Sequence, residues 1–320
     1  MTAAKLALLL AVAWGAKSTI LSAIDDLRNR DWQFSQLHVG WAVFAGFLYL
    51  ASQLPMSWFW WGVLSGLGQH VTLPRALRAY YIGHLGKYIP GKAMVVVIRA
   101  GLVGRPHVKT SLAVVAVFYE TFTAMAVGAV IAAFILIFSH REQPWLIVCS
   151  LALALIVGLP TLPPVFYRIL GWMRLLPSTA ASSETPQGAL HLSAGLLLRG
   201  WIANTIGWLL AGASLLATLR AIGVGNVNLA TDWPLCVATI ALAVVLGFVS
   251  LLPAGVGVRD IALLQLLAPR LEILSPGRGQ ALALVAVIVL RLIWLLAEAI
   301  LAAVLWPMRE KTVVDLSKTV

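Results

Sequence analysis

The sequence predicts an all-α polytopic integral membrane protein. It has about six full transmembrane helices plus two re-entrant or broken helical elements in an inverted repeat. Three observations predict it. The 320 residues are 61% hydrophobic and 11% charged, against about 45–50% and about 25% in soluble domains. Apolar runs recur at lengths near the ~20 residues that cross a ~30 Å hydrocarbon core. Two of these runs are interrupted by proline, glycine and arginine.

The elements follow in order. Lys5 to Ile24 is a first span, and Lys17, Ser18 and Thr19 interrupt the cleavage region a signal peptide would need. Val39 to Trp61 is the second, opened by Trp41 and closed by Trp58, Trp60 and Trp61 as interfacial anchors, with Pro55 kinking its last turns. Gly62 to Ala79 is a looser segment before the first broken element, 80–105. Thr110 to Phe138 is a strong span holding one acid, Glu120. Pro144 to Leu159 is a shorter one, Val165 to Leu176 a surface helix with Arg168 and Arg174, and Pro177 to Gly188 a flexible linker. Leu196 to Leu219 spans again. Pro234 to Pro269 is the second broken element, and Gln280 to Trp306 is the last span, carrying Arg291 and Glu298. The chain divides into an N-terminal membrane half, 1–160, a cytoplasmic amphipathic segment and linker, 161–194, and a C-terminal membrane half, 195–320.

If both broken elements enter and leave on one face, the two termini share a side. Fourteen basic side chains then fall on that side and six on the other. Positively charged loops face the cytoplasm, so both termini are expected there, in the cytoplasmic membrane. The broken elements would then enter from opposite faces, each between two spans. Paired interrupted segments in corresponding halves point to a transporter's binding site.

The first broken element carries His84, Lys87, Lys92 and Arg99 among Gly86, Pro90 and Gly91. GKYIPGKA nearly matches a P-loop, but Ala93 stands where the magnesium-binding hydroxyl belongs and no strand precedes it, so nucleotide binding is not expected. Exposed glycine N–H groups, a helix start and flanking lysines suit an anionic phosphate. An interfacial loop whose lysines reach lipid headgroups is the alternative. The second element, LLPAGVGVRD, carries Pro253, Gly255, Gly257, Arg259 and Asp260. Charges in an apolar region face protein or a water-filled path. Glu120, Arg291 and Glu298 are therefore candidate partners for Arg99 and Arg259, or the lining of a polar groove.

Other chemistry has little support. No basic repeat or RNA-binding signature points to nucleic acid. No metal-ligand spacing, Cys pair or nucleophile elbow occurs, so no enzyme activity, metal or other cofactor is expected. Cys149 and Cys236 read as small apolar core residues.

GKYIPGK with Arg99, then Glu120 in the next span, then LLPAGVGVRD, resemble the transmembrane region of lysylphosphatidylglycerol synthases from about the second span to the last. The resemblance implies a flippase-like module that moves a phospholipid between leaflets. Some stand-alone relatives are associated with glycosyltransferases and lipid-linked sugars. Two positions depart from the family pattern: Asp260 stands where Glu is usual, and Thr121 follows Glu120 where Arg is usual. The synthases' soluble aminoacyl-transferring domain has no counterpart before Val320, so lysyl-lipid synthesis is not expected.

The sequence therefore supports a transporter of an anionic phospholipid or lipid-linked saccharide, without its own ATPase. His84, Lys87, Lys92, Arg99 and Arg259 would bind the headgroup. Glu120, Asp260, Arg291 and Glu298 would line or gate the groove. Membrane lipids are the expected partners. The alternative is a non-transporting membrane partner that anchors or regulates a lipid-modifying enzyme such as a glycosyltransferase.

Overall fold

A computed structural model describes residues 36–89, 93–104, 108–139, 158–172, 193–250 and 257–308, with 148, 151–152 and 154–156 between them. The predicted span 5–24, the linker 177–188 and the tail from 309 lie outside the described residues, and 144–159 is described only in part. Among the described residues the regular structure is helical, and five helices are long and apolar enough to cross a membrane.

The protein is built on two of them, α1 (Val39–Gly66) and α6 (Ala194–Ala221), each 28 residues long. They pack antiparallel. His38 N–H donates to Ala221 O, and Ser214 Oγ donates to Ala45 O, both at 2.8 Å. Near the other end Gly200 lies under Phe59, where a Cβ would come within 2.4 Å of the ring. Gly207 meets Ser52 O, 2.9 Å from an ideal Cβ. Small residues thus allow the close approach that helices need where lipid supplies no hydrophobic drive.

The first broken element is a helical hairpin. Its arms are α2 (Leu73–His84), continued by a 3₁₀ turn (Leu85–Tyr88), and α3 (Ala93–Val103). Arg75 near the start of α2 donates to Gly104 O just past α3, at 3.0 Å. The chain therefore enters and leaves at one end. Gly86 makes the tip possible: a Cβ there would come within 2.7 Å of Val95 N. Helix α4 (Thr110–Ser139) follows, and the short α5 (Pro163–Trp172) sets Phe166 edge-on to Tyr119 at 4.7 Å.

The second broken element is also a hairpin, α7 (Leu229–Val249) and α8 (Val258–Leu274), closed at its open end by Asp232 and Arg270, 2.7 Å apart. The sequence pattern places the start of this element at Pro234. The Asn228 side chain instead caps the helix through Ala230 N–H at 2.8 Å, so α7 starts earlier and Pro234 sits inside it. With 21 residues, α7 is about 31 Å long and has the length to cross a membrane. The last helix is α9 (Gly279–Leu305). Arg78 of α2 donates to Leu305 O at 2.9 Å and Trp306 O at 3.1 Å.

The two hairpins open at opposite ends of the α1–α6 pair. Helix contacts in one half have counterparts in the other. Contacts α1–α2, α3–α4 and α4–α7 correspond to α6–α7, α8–α9 and α9–α2.

Two sequence expectations need correction. Gly62 to Ala79 is not a loose segment: α1 runs through Pro55 to Gly66 and α2 begins at Leu73. Trp60 is not an interfacial anchor. It is fully buried, its ring 6.1 Å from that of Tyr80, because the first hairpin covers that face of α1. Trp41 and Trp58 remain exposed, as anchors are. Cys236 is buried, as the sequence reading expected, and Cys149 lies outside the described residues.

Candidate functional site

The hairpin tips bring the scattered charges together. Arg99 on α3 and Glu120 on α4 are 2% and 3% exposed, and Arg99 Nη1 donates to Glu120 Oε2 at 2.8 Å. Tyr80 OH donates to the other carboxylate oxygen at 3.0 Å. The guanidinium lies 3.7 Å from the Tyr80 ring centroid, within cation–π range. Its Nη2 is 3.2 Å from His84 Nδ1. Arginine has only donors, so Nδ1 accepts and the His84 ring proton sits on Nε2. Gly83 makes room: a Cβ there would come within 2.4 Å of Arg99 Cγ.

A second pair, with Glu298 buried and Lys87 half-buried, joins the same hairpin to the last helix. Lys87 Nζ lies 2.5 Å from Glu298 Oε1 and 3.0 Å from Tyr49 OH. Tyr49 also donates to Glu298. The Tyr49 ring stacks on Trp294 with centroids 4.1 Å apart and planes 9° apart. Trp294 Nε1 donates to Ser214 Oγ at 3.1 Å. The pair is thus braced by α1, α6 and α9.

At the second tip, Gly257 takes φ 84°, a left-handed conformation suited to glycine. Its N–H donates to Asp260 Oδ2 at 2.9 Å, and Arg291 on α9 binds the same carboxylate. Arg259 stands apart. Its Nε is 3.9 Å from Asp260 Oδ1, too far for a hydrogen bond, and is buried without a partner.

These groups surround a cavity of about 300 Å³ with largely apolar walls. His84, Lys87 and Arg99 face it from the first hairpin, Arg259 from the second and Glu120 from α4. Glu298, Asp260 and Arg291 are not among its lining residues; Glu298 holds Lys87 from behind, and Asp260 and Arg291 pair with each other. Lys92, Pro90, Gly91, Pro253 and Gly255 lie outside the described residues. Gly86 and Gly257 shape the two tips. Among the described residues of this cluster, the cations Lys87, Arg99, Arg259 and Arg291 face the carboxylates Glu120, Asp260 and Glu298, leaving a surplus of one positive charge.

Sequence reasoning missed Tyr49, Tyr80 and Gln53. Tyr49 and Tyr80 hold the buried carboxylates, and Gln53 lines the cavity. A tyrosine or glutamine inside an apolar run was the available signal, since its polar end needs a partner when buried. Among the described residues no group of three or more His, Cys, Asp or Glu side chains is placed to hold a metal ion.

No curated protein matches the chain. Family comparison does identify it. The match covers residues 3–304, spanning both hairpins and the helices that carry their ion-pair partners. The chain belongs to the family described as the lysylphosphatidylglycerol synthase TM region.

Proposed function

We infer that the protein is a membrane transporter of the flippase type, moving an anionic phospholipid or lipid-linked saccharide between leaflets. The observation that carries this reading is Arg259. It is a cation with no carboxylate in hydrogen-bond range, facing a cavity that both hairpins line. A charge left under-paired at that depth is costly and suits a site that receives an anion. Lys87 and Arg99 add positive potential but are held by Glu298 and Glu120.

Antiparallel α1 and α6, the matching helix contacts and hairpins opening at opposite ends support an inverted repeat with re-entrant hairpins. In such a repeat one half rocks against the other around a fixed site. The headgroup crosses through the cavity while the tails stay in lipid. Transport is downhill or ion-coupled, and the protein performs no chemical step on its cargo. Arg75, Arg78, Lys109 and Arg199 cluster near the end where the first hairpin opens, which supports placing that end in the cytoplasm.

A second reading draws on the same ion pairs. Each of the three carboxylates already holds a cation, as a permanently closed scaffold requires. On that reading the protein anchors or regulates a lipid-modifying enzyme such as a glycosyltransferase. Proteoliposomes separate the two. Transport predicts faster exchange of labelled anionic lipids than in empty vesicles, abolished by Glu120→Gln. Unchanged rates across anionic phospholipids and isoprenyl-linked saccharides contradict it and favour the scaffold.

A further inference from the structure

The cavity bears on the kind of headgroup as well as its charge. Gln53 lies on α1 one turn beyond Tyr49, is 2% exposed and lines the cavity. Neither its Nε2 nor its Oε1 has a hydrogen-bond partner. A primary amide presents donors and an acceptor together. An ammonium group satisfies only the acceptor and a bare phosphate only the donors. A hydroxyl satisfies both.

The charges restrict the ligand further. All three carboxylates of the cluster are already bonded to cations, and the two that keep an unpartnered oxygen, Asp260 and Glu298, do not line the cavity where an ammonium group would sit. Among the described residues, four cations against three carboxylates leave one positive charge, with Arg259 the under-paired member. That matches a phosphodiester, which carries one negative charge. A diphosphate or a phosphate monoester brings more charge than the described residues offset.

We propose that the cavity selects a phosphodiester-linked headgroup bearing neutral hydroxyls, with Gln53 as the specificity-determining residue and Arg259 taking the phosphate. Two lipid sources share this chemistry: a glycerol-headed phospholipid and an isoprenyl monophosphate sugar. Diphosphate-linked sugars and aminoacylated lipids fall outside it. The inference rests on the cavity being a headgroup site, but it does not require transport.

The test is a binding titration on the purified full chain in detergent, read by the fluorescence of Trp208 and Trp294, which line the cavity. The probes are phosphatidylglycerol, phosphatidylmethanol, an isoprenyl phosphoryl hexose, its diphosphate counterpart and lysylphosphatidylglycerol. Phosphatidylmethanol keeps the phosphodiester charge and lacks the hydroxyls. The wild type is expected to bind phosphatidylglycerol or the isoprenyl phosphoryl hexose about tenfold more tightly than phosphatidylmethanol. Whichever binds tighter identifies the source. Gln53→Leu is expected to close the gap by weakening the hydroxylated lipid alone, and unchanged phosphatidylmethanol binding shows that the variant is folded.

Equal wild-type affinities for hydroxylated and methyl lipids overturn the proposal without reference to any variant. So does tighter binding of the diphosphate or lysyl lipid, or a Gln53→Leu loss shared by all ligands. Binding as expected without lipid exchange contradicts transport and leaves this inference standing. Exchange with no headgroup preference does the reverse.

Discussion

Lys87 Nζ lies 2.5 Å from Glu298 Oε1, tying the tip of the first hairpin to the last helix. Tyr49 OH touches both members of the pair. Glu298 is 3% exposed, so removing Lys87 leaves its charge without the cation that offsets burial. Lys87→Met is expected to lower stability by about 3–5 kcal/mol, as for other broken buried pairs. The double variant Lys87→Met with Glu298→Met removes both charges and should recover most of that loss. Denaturant unfolding in mixed micelles measures it, and equal losses in the single and double variants would count against a coupled pair.

The Arg99 guanidinium meets four groups at once: Glu120, the His84 ring nitrogen and the Tyr80 and Trp60 rings. A lysine offers one compact ammonium and no planar fork. Arg99→Lys should therefore cost nearly as much stability as a neutral replacement, despite keeping the charge. A thermal unfolding series of Arg99→Lys and Arg99→Gln reads this. A wild-type melting point for the lysine variant would show that charge alone is required.

Close helix approach makes a sharper prediction at glycine. A Cβ on Gly212 would come within 2.6 Å of Val237 Cα, where α6 meets α7. A Cβ on Gly101 would meet nothing within 4 Å. Gly212→Ala should destabilise by about 1–3 kcal/mol through overpacking. Gly101→Ala should be neutral or stabilise by about 0.5–1 kcal/mol, since glycine weakens a helix interior. Unfolding midpoints of the two variants compare directly.

One carboxylate outside the candidate spans gives a pH dependence. Glu272 accepts from Gly277 N–H at 2.5 Å and Gly279 N–H at 2.8 Å, and these bonds hold its carboxyl below the ordinary carboxylate range. A depressed folded value means the contribution is present above the unfolded value of about 4.3 and is lost as pH falls through the folded one. Acidification below about pH 4 should therefore loosen the α8–α9 turn. Protection of the Gly277 and Gly279 amides, taken relative to the intrinsic exchange rate at each pH, should fall there in the wild type. In Glu272→Gln it should be low already at neutral pH and change little on acidification.

Much of this molecule was legible in its sequence. Apolar length located α1, α4, α6 and α9, because a helix that crosses lipid has few other solutions. Gly86 and Gly257 marked where the two hairpins turn, and Glu120, one of three partners offered for Arg99 and Arg259 from charge alone, is the one that holds Arg99. The partner of Lys87 was not legible, since Glu298 is 211 residues away and only the fold joins them. Arg291 was offered as a partner for Arg99 or Arg259; it holds Asp260 instead. Gln53 gave no periodic signal at all. Its significance lies in the absence of a neighbour, which no pattern along the chain records.

Lipid exchange by reconstituted protein carrying Arg259→Gln, with the wild type alongside, tests the headgroup path most directly. Arg259 has no carboxylate in hydrogen-bond range, so its loss leaves the three hydrogen-bonded ion pairs in place. The variant is expected to keep the wild-type melting temperature and to lose exchange of anionic lipids by at least about tenfold, one charged hydrogen bond's worth. Wild-type exchange in a folded Arg259→Gln variant would contradict a headgroup path through this cavity.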